Sequence, residues 1–314
     1  LETPFFSIIT PTYNRERFLA SCIESVQAQS YRNYEHIIID DGSVDGTEQL
    51  VQSYQKSDPS IVYIKQENKG RSTARNVGIA AAKGSYVCFL DSDDVWLEGH
   101  LQTLHKFTSN AVEPAFFHTG LIWFYDDGKP DQNVIYQDRT RFYSNVEYVM
   151  ANEFAPDCVC ITRNTLSSNG FNANLFINED IELWARIAAK YPVISIPEYT
   201  AKLRVHAGNT DKATVDSITP RKHALRTILQ NSSVRTKLSK PFVRDRKRGL
   251  DELQIRHYES SGQRLPLAIE SFKFILKYPD NPRNAAKLVT ILYNLPGGRV
   301  LKSVIAAMKK KPVE

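Results

Sequence analysis

Three carboxylates crowd into four residues of this chain: Asp91, Asp93 and Asp94. They follow Ser85-Tyr-Val-Cys-Phe-Leu90, a short apolar run rich in aromatic and branched side chains and bounded by Lys83-Gly84. Such a run reads as a buried strand. The acids then stand where the strand leaves its sheet, and open α/β sheets bind their ligands at such strand ends. Like charges this close repel unless a cation joins them. A hard divalent ion carrying a nucleotide diphosphate does so, because Mg2+ and similar ions take a few carboxylates plus phosphate oxygens. The competing reading is a solvated acidic loop that caps a following helix, Val95 to Thr108.

The flanking segments supply the elements that would position these acids. Phe5 to Thr10 reads as a strand stopped by Pro11, and Arg15 to Gln29 carries a helical stripe at Phe18, Leu19, Cys22, Ile23 and Val26. Tyr34 to Asp40 is a second buried strand. It ends in Asp40-Asp-Gly-Ser-Val-Asp-Gly-Thr47, where Asp45 or Thr47 can cap a helix to about Tyr54. Ser60 to Lys65 is a third strand. Gly70 to Lys83 is a third helix, rich enough in small residues at Ala74 and Ala80–Ala82 to lie close on a sheet. Strand–helix alternation of this kind predicts a doubly wound, largely parallel sheet. The turns hold neither a GxGxxG fingerprint nor a Walker A sequence, so phosphate handling falls to a metal and side chains rather than to a glycine cradle.

Beyond Trp96 the pattern is less regular. Ala115 to Tyr125 and Asp157 to Thr162 read as strands and Ser144 to Asn152 as a helix. Asn178 to Ala189 reads as a helix with acids at its start. Pro192 to Ile196 and Tyr199 to Val205 are two further strand candidates, leading into Arg204-Val-His206. From about Ser217 helices dominate, at His223–Gln230, Val243–Ser260, Leu265–Tyr278 and Pro282–Leu292. Arg299 to Lys311 forms a basic amphipathic pattern that suits a final helix packed on its neighbours with a solvated Lys tail, or a helix lying on a membrane surface.

The chain has 314 residues, 42% hydrophobic and 24% charged, an ordinary globular composition. No stretch approaches the length of a membrane span, and the N-terminal residues lack a signal-peptide pattern. Cys22, Cys88, Cys158 and Cys160 form no CxxC pair and read as small buried hydrophobes in a reducing compartment. The net charge of +5 is uneven. Residues 220–314 hold 21 Lys and Arg against 7 Asp and Glu, a net of +14, which leaves −9 on the rest. An acidic body with a basic tail suggests two jobs in two segments.

Taken together, six motifs resemble the inverting, GT-A type glycosyltransferases of family 2. They are Ser7-Ile-Ile-Thr-Pro-Thr-Tyr-Asn14, Ile39-Asp-Asp-Gly-Ser-Val-Asp-Gly-Thr47, Asn68-Lys-Gly-Arg-Ser-Thr-Ala-Arg-Asn-Val-Gly78, Phe89-Leu-Asp-Ser-Asp-Asp94, Asn178-Glu-Asp180 and Arg204-Val-His206. Each is modest alone, and their order and spacing make the set specific. The resemblance spans Ser7 to about Asp211. It implies a GT-A, Rossmann-like nucleotide-diphospho-sugar transferase domain over residues 1–216, followed by a basic helical region over 217–314.

The resemblance also implies roles. A nucleotide-sugar donor, with UDP-sugars favoured, would meet Thr10, Pro11, Tyr13, Asp41, Arg75, Asp91 and Ser92. Tyr13 could stack on the base and Asp41 accept from a base N–H. Asp93 would hold a divalent cation, Mn2+ or Mg2+, with His206 completing the site. Asp180 would be the catalytic base, with Glu179 as fallback and an ordinary carboxylate pKa sufficing. The transferred group would be a hexosyl or N-acetylhexosaminyl unit. The acceptor would be a saccharide or lipid-linked saccharide of a cell-surface glycan, selected by loops after Asp94 and around 120–175. The expected setting is the cytoplasm, at the inner membrane face through the C-terminal helix. Two other classes stand beside this one. A nucleotide-sugar-forming nucleotidyltransferase would want a glycine-bearing loop after the first strand, and Thr10 to Arg17 has no glycine. A nucleic-acid-binding protein would want a stacking platform in the basic tail, where aromatic residues are scattered.

Overall fold

A computed structural model describes residues 3–109, 111, 114–206 and 215–281. The expected helices at 282–292 and 299–311 lie outside the described residues.

The strands are β1 (Phe6–Thr12), β2 (Tyr34–Asp40), β3 (Ile61–Lys65), β4 (Tyr86–Phe89), β5 (Val95–Trp96), β6 (Phe116–Phe124), β7 (Gln132–Asn133), β8 (Val159–Thr162) and β9 (Val193–Arg204). The helices are α1 (Glu16–Gln27), α2 (Thr47–Gln55), α3 (Arg71–Ala81), α4 (His100–Thr108), α5 (Asn145–Asn152), α6 (Arg163–Ser167), α7 (Glu179–Ala188), α8 (Val215–Gln230), α9 (Ser232–Arg235), α10 (Lys240–Ser260) and α11 (Arg264–Lys277). The strands form one sheet in the order β3-β2-β1-β4-β8-β6-β9-β5, with β7 on β6.

The first half of the sheet is parallel throughout, as the strand–helix alternation predicts. From β8 it becomes mixed. β8 runs antiparallel to both β4 and β6, whereas β6 and β9 are parallel. The order 3-2-1-4 puts a topological switch between β1 and β4. Their C-terminal ends diverge there and leave a crevice, the standard binding place in such sheets. Helix α3 lies across β1 and β2. A Cβ on Gly78 would stand 2.5 Å from Ile9 Cγ2, so α3 approaches the sheet as closely as its small residues suggested.

Four local expectations change. β1 does not stop at Pro11 but continues to Thr12, with Pro11 opposite Ile39. Backbone groups alternate sides along a strand; Thr12 faces β2, where its carbonyl accepts from Asp41 N, so the Pro11 nitrogen faces the β4 side. β4 has already ended there, and the missing N–H leaves no ladder bond unmade. Second, no helix starts at Val95. Val95 and Trp96 pair with β9, and α4 begins only at His100, after Gly99. The acids therefore cap no helix. Third, the two late strand candidates are one strand, β9, whose register against β6 shifts near Gly120. Fourth, α8 begins at Val215 and runs through Pro220, whose ring costs one helical bond without ending the helix.

The described chain divides into two compact units. One comprises residues 1–210 and 224–238, the other 211–223 and 239–314. The first holds the sheet. In the second, α10 and α11 pair as a helical hairpin around Ile255, Phe274 and Tyr278. Gly262, at a φ of +67°, makes the turn between them. Asp251 accepts from Lys222, Lys277 and Tyr278 in the same unit. All four cysteines are free and buried.

Candidate active site

Three loops meet at the C-terminal ends of β1, β2 and β4. After β1, Asn14 adopts a left-handed φ of +51°. Its side-chain oxygen accepts from Val44 N at 2.9 Å, and its backbone N–H donates to Ser43 Oγ at 2.9 Å. That lock holds Tyr13 outward, 46% exposed. After β2, Asp40 shapes the turn by accepting from Ser43 N at 2.7 Å and Tyr63 OH at 2.6 Å. Asp41 is tied to the entry of α3: its oxygens accept from Gln66 Nε2, Lys69 N and Gly70 N at 2.6, 2.9 and 2.8 Å. A carboxylate has about four lone-pair sites, so capacity for one further donor remains.

After β4, Asp94 N bonds to Asp91 O at 3.0 Å, closing a tight turn with Ser92 and Asp93 at its tip. Arg204 at the end of β9 clamps this turn. Its amide donates to Asp94 Oδ1 at 2.7 Å and its Nε to Asp93 O at 2.9 Å, while its guanidinium also reaches Ser21 and Asp126. Asp93 Oδ2 lies 3.0 Å from His206 Nε2 and 3.6 Å from Arg15 Nε. Asp91 and Asp94 form a close group with Asp157, each offering a carboxylate oxygen within 4.8 Å of the others. Burial, and then Asp157, Asp93 and Asp91, push the Asp94 carboxyl well above its ordinary range. Burial, and then Asp91, lift Asp157 to about 8. Asp157 Oδ1 accepts from Asp91 N at 2.7 Å, but its buried Oδ2 has no hydrogen-bond partner among the described residues. Crowded acids, an orphaned carboxylate oxygen and a His–carboxylate pair are a donor set that fits a hard divalent cation.

The third component is α7. Glu179 in its first turn is buried and accepts from two arginines of α3. Arg71 Nε stands 2.6 Å from Glu179 Oε1, and Arg75 Nη1 3.0 Å from the same oxygen. Arg75, only 2% exposed, also donates from Nη2 to Asp91 Oδ1 at 2.6 Å. Burial alone would lower this guanidinium; Asp91 and Glu179 more than reverse that and hold it charged. Asp180, half-buried beside them, accepts only from Ile181 N among the described hydrogen bonds. Burial and the neighbouring Glu179 raise its carboxyl to about 7 against the pull of Arg71 and Arg75. An ordinary carboxylate pKa would suffice for the base role; the poorly solvated first turn of α7 moves this one upward.

An open cleft of about 190 Å³ lies between the loops, lined by Pro11, Tyr13, Asp41, Arg75, Asp91, Ser92 and Asp93. Three residues not singled out from sequence join them: Thr12, Arg15 and Arg71. Thr10 does not reach the cleft. Its side chain is buried, with Oγ1 2.9 Å from His36 Nε2. Arg75 is buried, whereas Arg15 and Arg71, which also pair with carboxylates, keep 37% and 38% of their side chains exposed toward solvent. Glu179 is spent on two arginines and is badly placed for the base role held in reserve for it. Asp157 was missed: an isolated Asp before an apolar run gives no signal until β8 docks beside β4.

Such a sheet, with an open crevice at its switch point and an acidic turn beside it, has the GT-A architecture. Residues 7–112 match the family model described as glycosyl transferase family 2. An uncharacterized glycosyltransferase of Rickettsia felis is 34% identical over 207 residues, covering 64% of this chain and 33% of that protein. The putative teichuronic acid biosynthesis glycosyltransferase TuaG of Bacillus subtilis is 38% identical over 144 residues, covering 45% of this chain and 56% of that protein. The chain thus spans only a third to about half of these relatives' length. Among solved structures, S. aureus TarS 1–349 in complex with UDP-GlcNAc superposes with a TM-score of 0.60 at 19% identity, over 90% of this chain and 83% of that one. Residues 7–112 thus carry the family 2 glycosyltransferase segment.

Proposed function

We propose that this chain transfers a hexosyl or N-acetylhexosaminyl group from a nucleotide-sugar donor to a saccharide or lipid-linked saccharide hydroxyl, with inversion. The observation that carries the reading is one continuous contact chain: Asp180 lies beside the Arg71–Glu179–Arg75 ion-pair group, which bonds through Arg75 to Asp91 in the cleft. The donor's base lies against Tyr13, with Asp41 beside it to accept a base N–H, an arrangement that favours uridine. The solved relative's UDP-GlcNAc supports a donor of this class. Asp91 and Ser92 face the ribose, and Arg15 and Arg71 bring positive charge to the diphosphate. Asp93 and His206 would hold a divalent cation, Mn2+ or Mg2+, with Asp91 near; when bound it offsets the charge that develops on the leaving diphosphate.

Asp180 takes the acceptor hydroxyl proton while that oxygen bonds to the anomeric carbon. The bond from that carbon to the phosphate oxygen breaks, and the nucleoside diphosphate leaves with its electron pair. A base near pH 7 suits this step, being both ionised and basic at neutral pH. Phe176 is 74% exposed four residues before Asp180, pinned between buried Leu175 and Ile177, with its carbonyl held by Arg71 Nη2 at 3.1 Å. We assign its ring to the acceptor side, as a face for a sugar ring.

The name of the Bacillus relative supports a cell-surface glycan as the product. Residues 1–216 are taken as the catalytic domain and 217–314 as an accessory helical region. No described helix is long and apolar enough to cross a membrane, and a peripheral place at the cytoplasmic face is part of the proposal. Neither the nucleotidyltransferase nor the nucleic-acid-binding reading is favoured by the family match. The test is a panel of nucleotide sugars, each with and without Mn2+ or Mg2+, read by thermal shift and by release of nucleoside diphosphate. A ligand at ~100 Kd adds ~2.7 kcal/mol of stability, a readable shift. Metal-dependent protection by a UDP-sugar is expected; protection by none of the panel would refute the donor assignment.

A further inference from the structure

The helical unit holds a second cleft that donor chemistry does not use. It encloses about 320 Å³ between the first half of α10 and the segment after α11, lined by Lys240, Arg244, Arg248, Tyr278 and the acids Asp245 and Asp280. Along α10, Lys240, Arg244, Lys247 and Arg248 fall within about 100° of arc over two turns at 100° per residue. Five cations stand against one acid in residues 240–248.

Lys240, in the first turn of α10, opposes local helix energetics. The first turns of a helix favour acids, because the backbone amides already make that end positive. The first turn of α10 has none. Arg244 pairs with Asp280 at 2.7 Å and Arg248 with Asp245 at 3.1 Å, but all four side chains are between 39% and 74% exposed. Exposed pairs of this kind contribute little and exchange readily for another anion. Lys240 adds a third charge to the same cleft. Cations gathered on one face of α10, met by exposed acids and by the Tyr278 ring 6.0 Å from the Arg244 guanidinium, make a surface open to a further anion.

We propose that this cleft binds a phosphate-class anion, a phosphomonoester or phosphodiester group. A phosphate presents several acceptor oxygens to forked guanidinium donors, the geometry arginine suits best. The group can be carried by a soluble phosphate-bearing molecule or by a lipid headgroup. The site lies within the helical unit and is independent of the donor assignment.

The experiment compares the full chain with its Arg244→Gln/Arg248→Gln double variant. Circular dichroism and the thermal midpoint check folding, and Arg244→Lys/Arg248→Lys serves as the variant that keeps charge. Binding is measured to inorganic pyrophosphate and glycerol 3-phosphate, and to phosphatidylcholine vesicles with and without 30% phosphatidylglycerol. Any phosphate bound in the donor cleft is common to all proteins, so the difference reads the new site. The double Gln variant is expected to bind at least one probe class ~10-fold more weakly, with the Lys variant intermediate and the wild-type affinity falling with salt. Loss confined to vesicles assigns the anion to a headgroup; loss for the soluble phosphates assigns it to a soluble group. Equal binding of every probe by wild type and the folded Gln variant overturns the site. If the Gln variant fails to fold, Lys240→Gln/Lys247→Gln is read in its place, and unchanged binding there overturns it equally. Nucleotide-sugar protection is measured alongside and is expected to be the same in all variants.

Discussion

A general base must be ionised before it can take a proton, so the state of Asp180 decides when the proposed site can turn over. Its carboxyl sits at about 7, raised by burial and by Glu179. The transfer rate should therefore fall as pH drops below 7, following the protonation of one group. Asp180→Asn keeps the shape and removes the basicity. It should lower transfer ~10²-fold or more, abolish that acid limb and leave donor affinity in place. Parallel pH–rate profiles and donor titrations check this; a variant with near wild-type transfer would return the base role to another acid. Arg75 makes a different prediction, about folding. It bridges buried Glu179 to Asp91, so Arg75→Met leaves Glu179 with Arg71 as its remaining arginine and Asp91 with none. Stranding a buried charge outright costs about 3–5 kcal/mol; with Arg71 retained the loss should fall below that range, to be read from urea midpoints. A loss under ~1 kcal/mol would mean that water replaces the guanidinium. Of these groups, Asp180 and Arg75 were legible in the sequence because they stand inside dense motifs. The pairing of Glu179 with α3 was not, since more than a hundred residues separate the partners and only the closed fold brings them together.

At the scale of elements, local signals carried the sheet's first half and non-local ones its second. β1 to β4 and their helices show in periodicity because each strand run is apolar and each helix has a clear stripe. β5 is two residues long and exists only through its pairing with β9, so the run after Asp94 read as helix. Pro11 read as a stop because sequence cannot show that its nitrogen faces a side with no partner strand. The small residues of α3 were informative, and they support a direct test. A methyl added at Gly78 meets Ile9 Cγ2 at 2.5 Å, in a wall of packed sheet. Gly78→Ala normally gains helix propensity, but here overpacking should outweigh it and cost about 1–3 kcal/mol. Because α3 also carries Arg71 and Arg75, donor affinity should fall with stability. Equal or higher stability in this variant would show that α3 can lift away from β1 freely.

At the scale of the molecule, two sets of buried groups pull stability in opposite directions with pH. His36, His100 and His118 are held neutral by burial, at about 4, 3 and 4. A histidine depressed in the folded state contributes stability that is present above its unfolded value, ~6.5, and lost as pH falls below it. Asp94, Asp157 and Asp180 are raised instead, the last two to about 8 and about 7. A raised acid contributes stability that is present below its unfolded value, ~3.9, and lost as pH rises through its folded value. Each group changes the slope by ~1.4 kcal/mol per pH unit. Between about pH 4 and 6.5 three histidines and three acids oppose one another, and stability of the metal-free chain should change little. From about pH 6.5 to 8 only the acids act, and stability should fall. Asp157→Asn removes one of them, keeps an oxygen for Asp91 N, and takes a like charge away from Asp94. The variant should be more stable than wild type at pH 8, with the gain shrinking to nothing near pH 4. Its stability should then rise from pH 4 to 6.5, where wild type is flat, because the histidines are no longer fully opposed. Urea midpoints at pH 4.5, 6.5 and 8 in the presence of a chelator measure all three differences. A variant no more stable than wild type at pH 8 would show that the buried acids do not carry this cost. A gain at pH 8 that vanishes when Mn2+ or Mg2+ is supplied to both proteins would show that the cation and the substitution relieve the same repulsion.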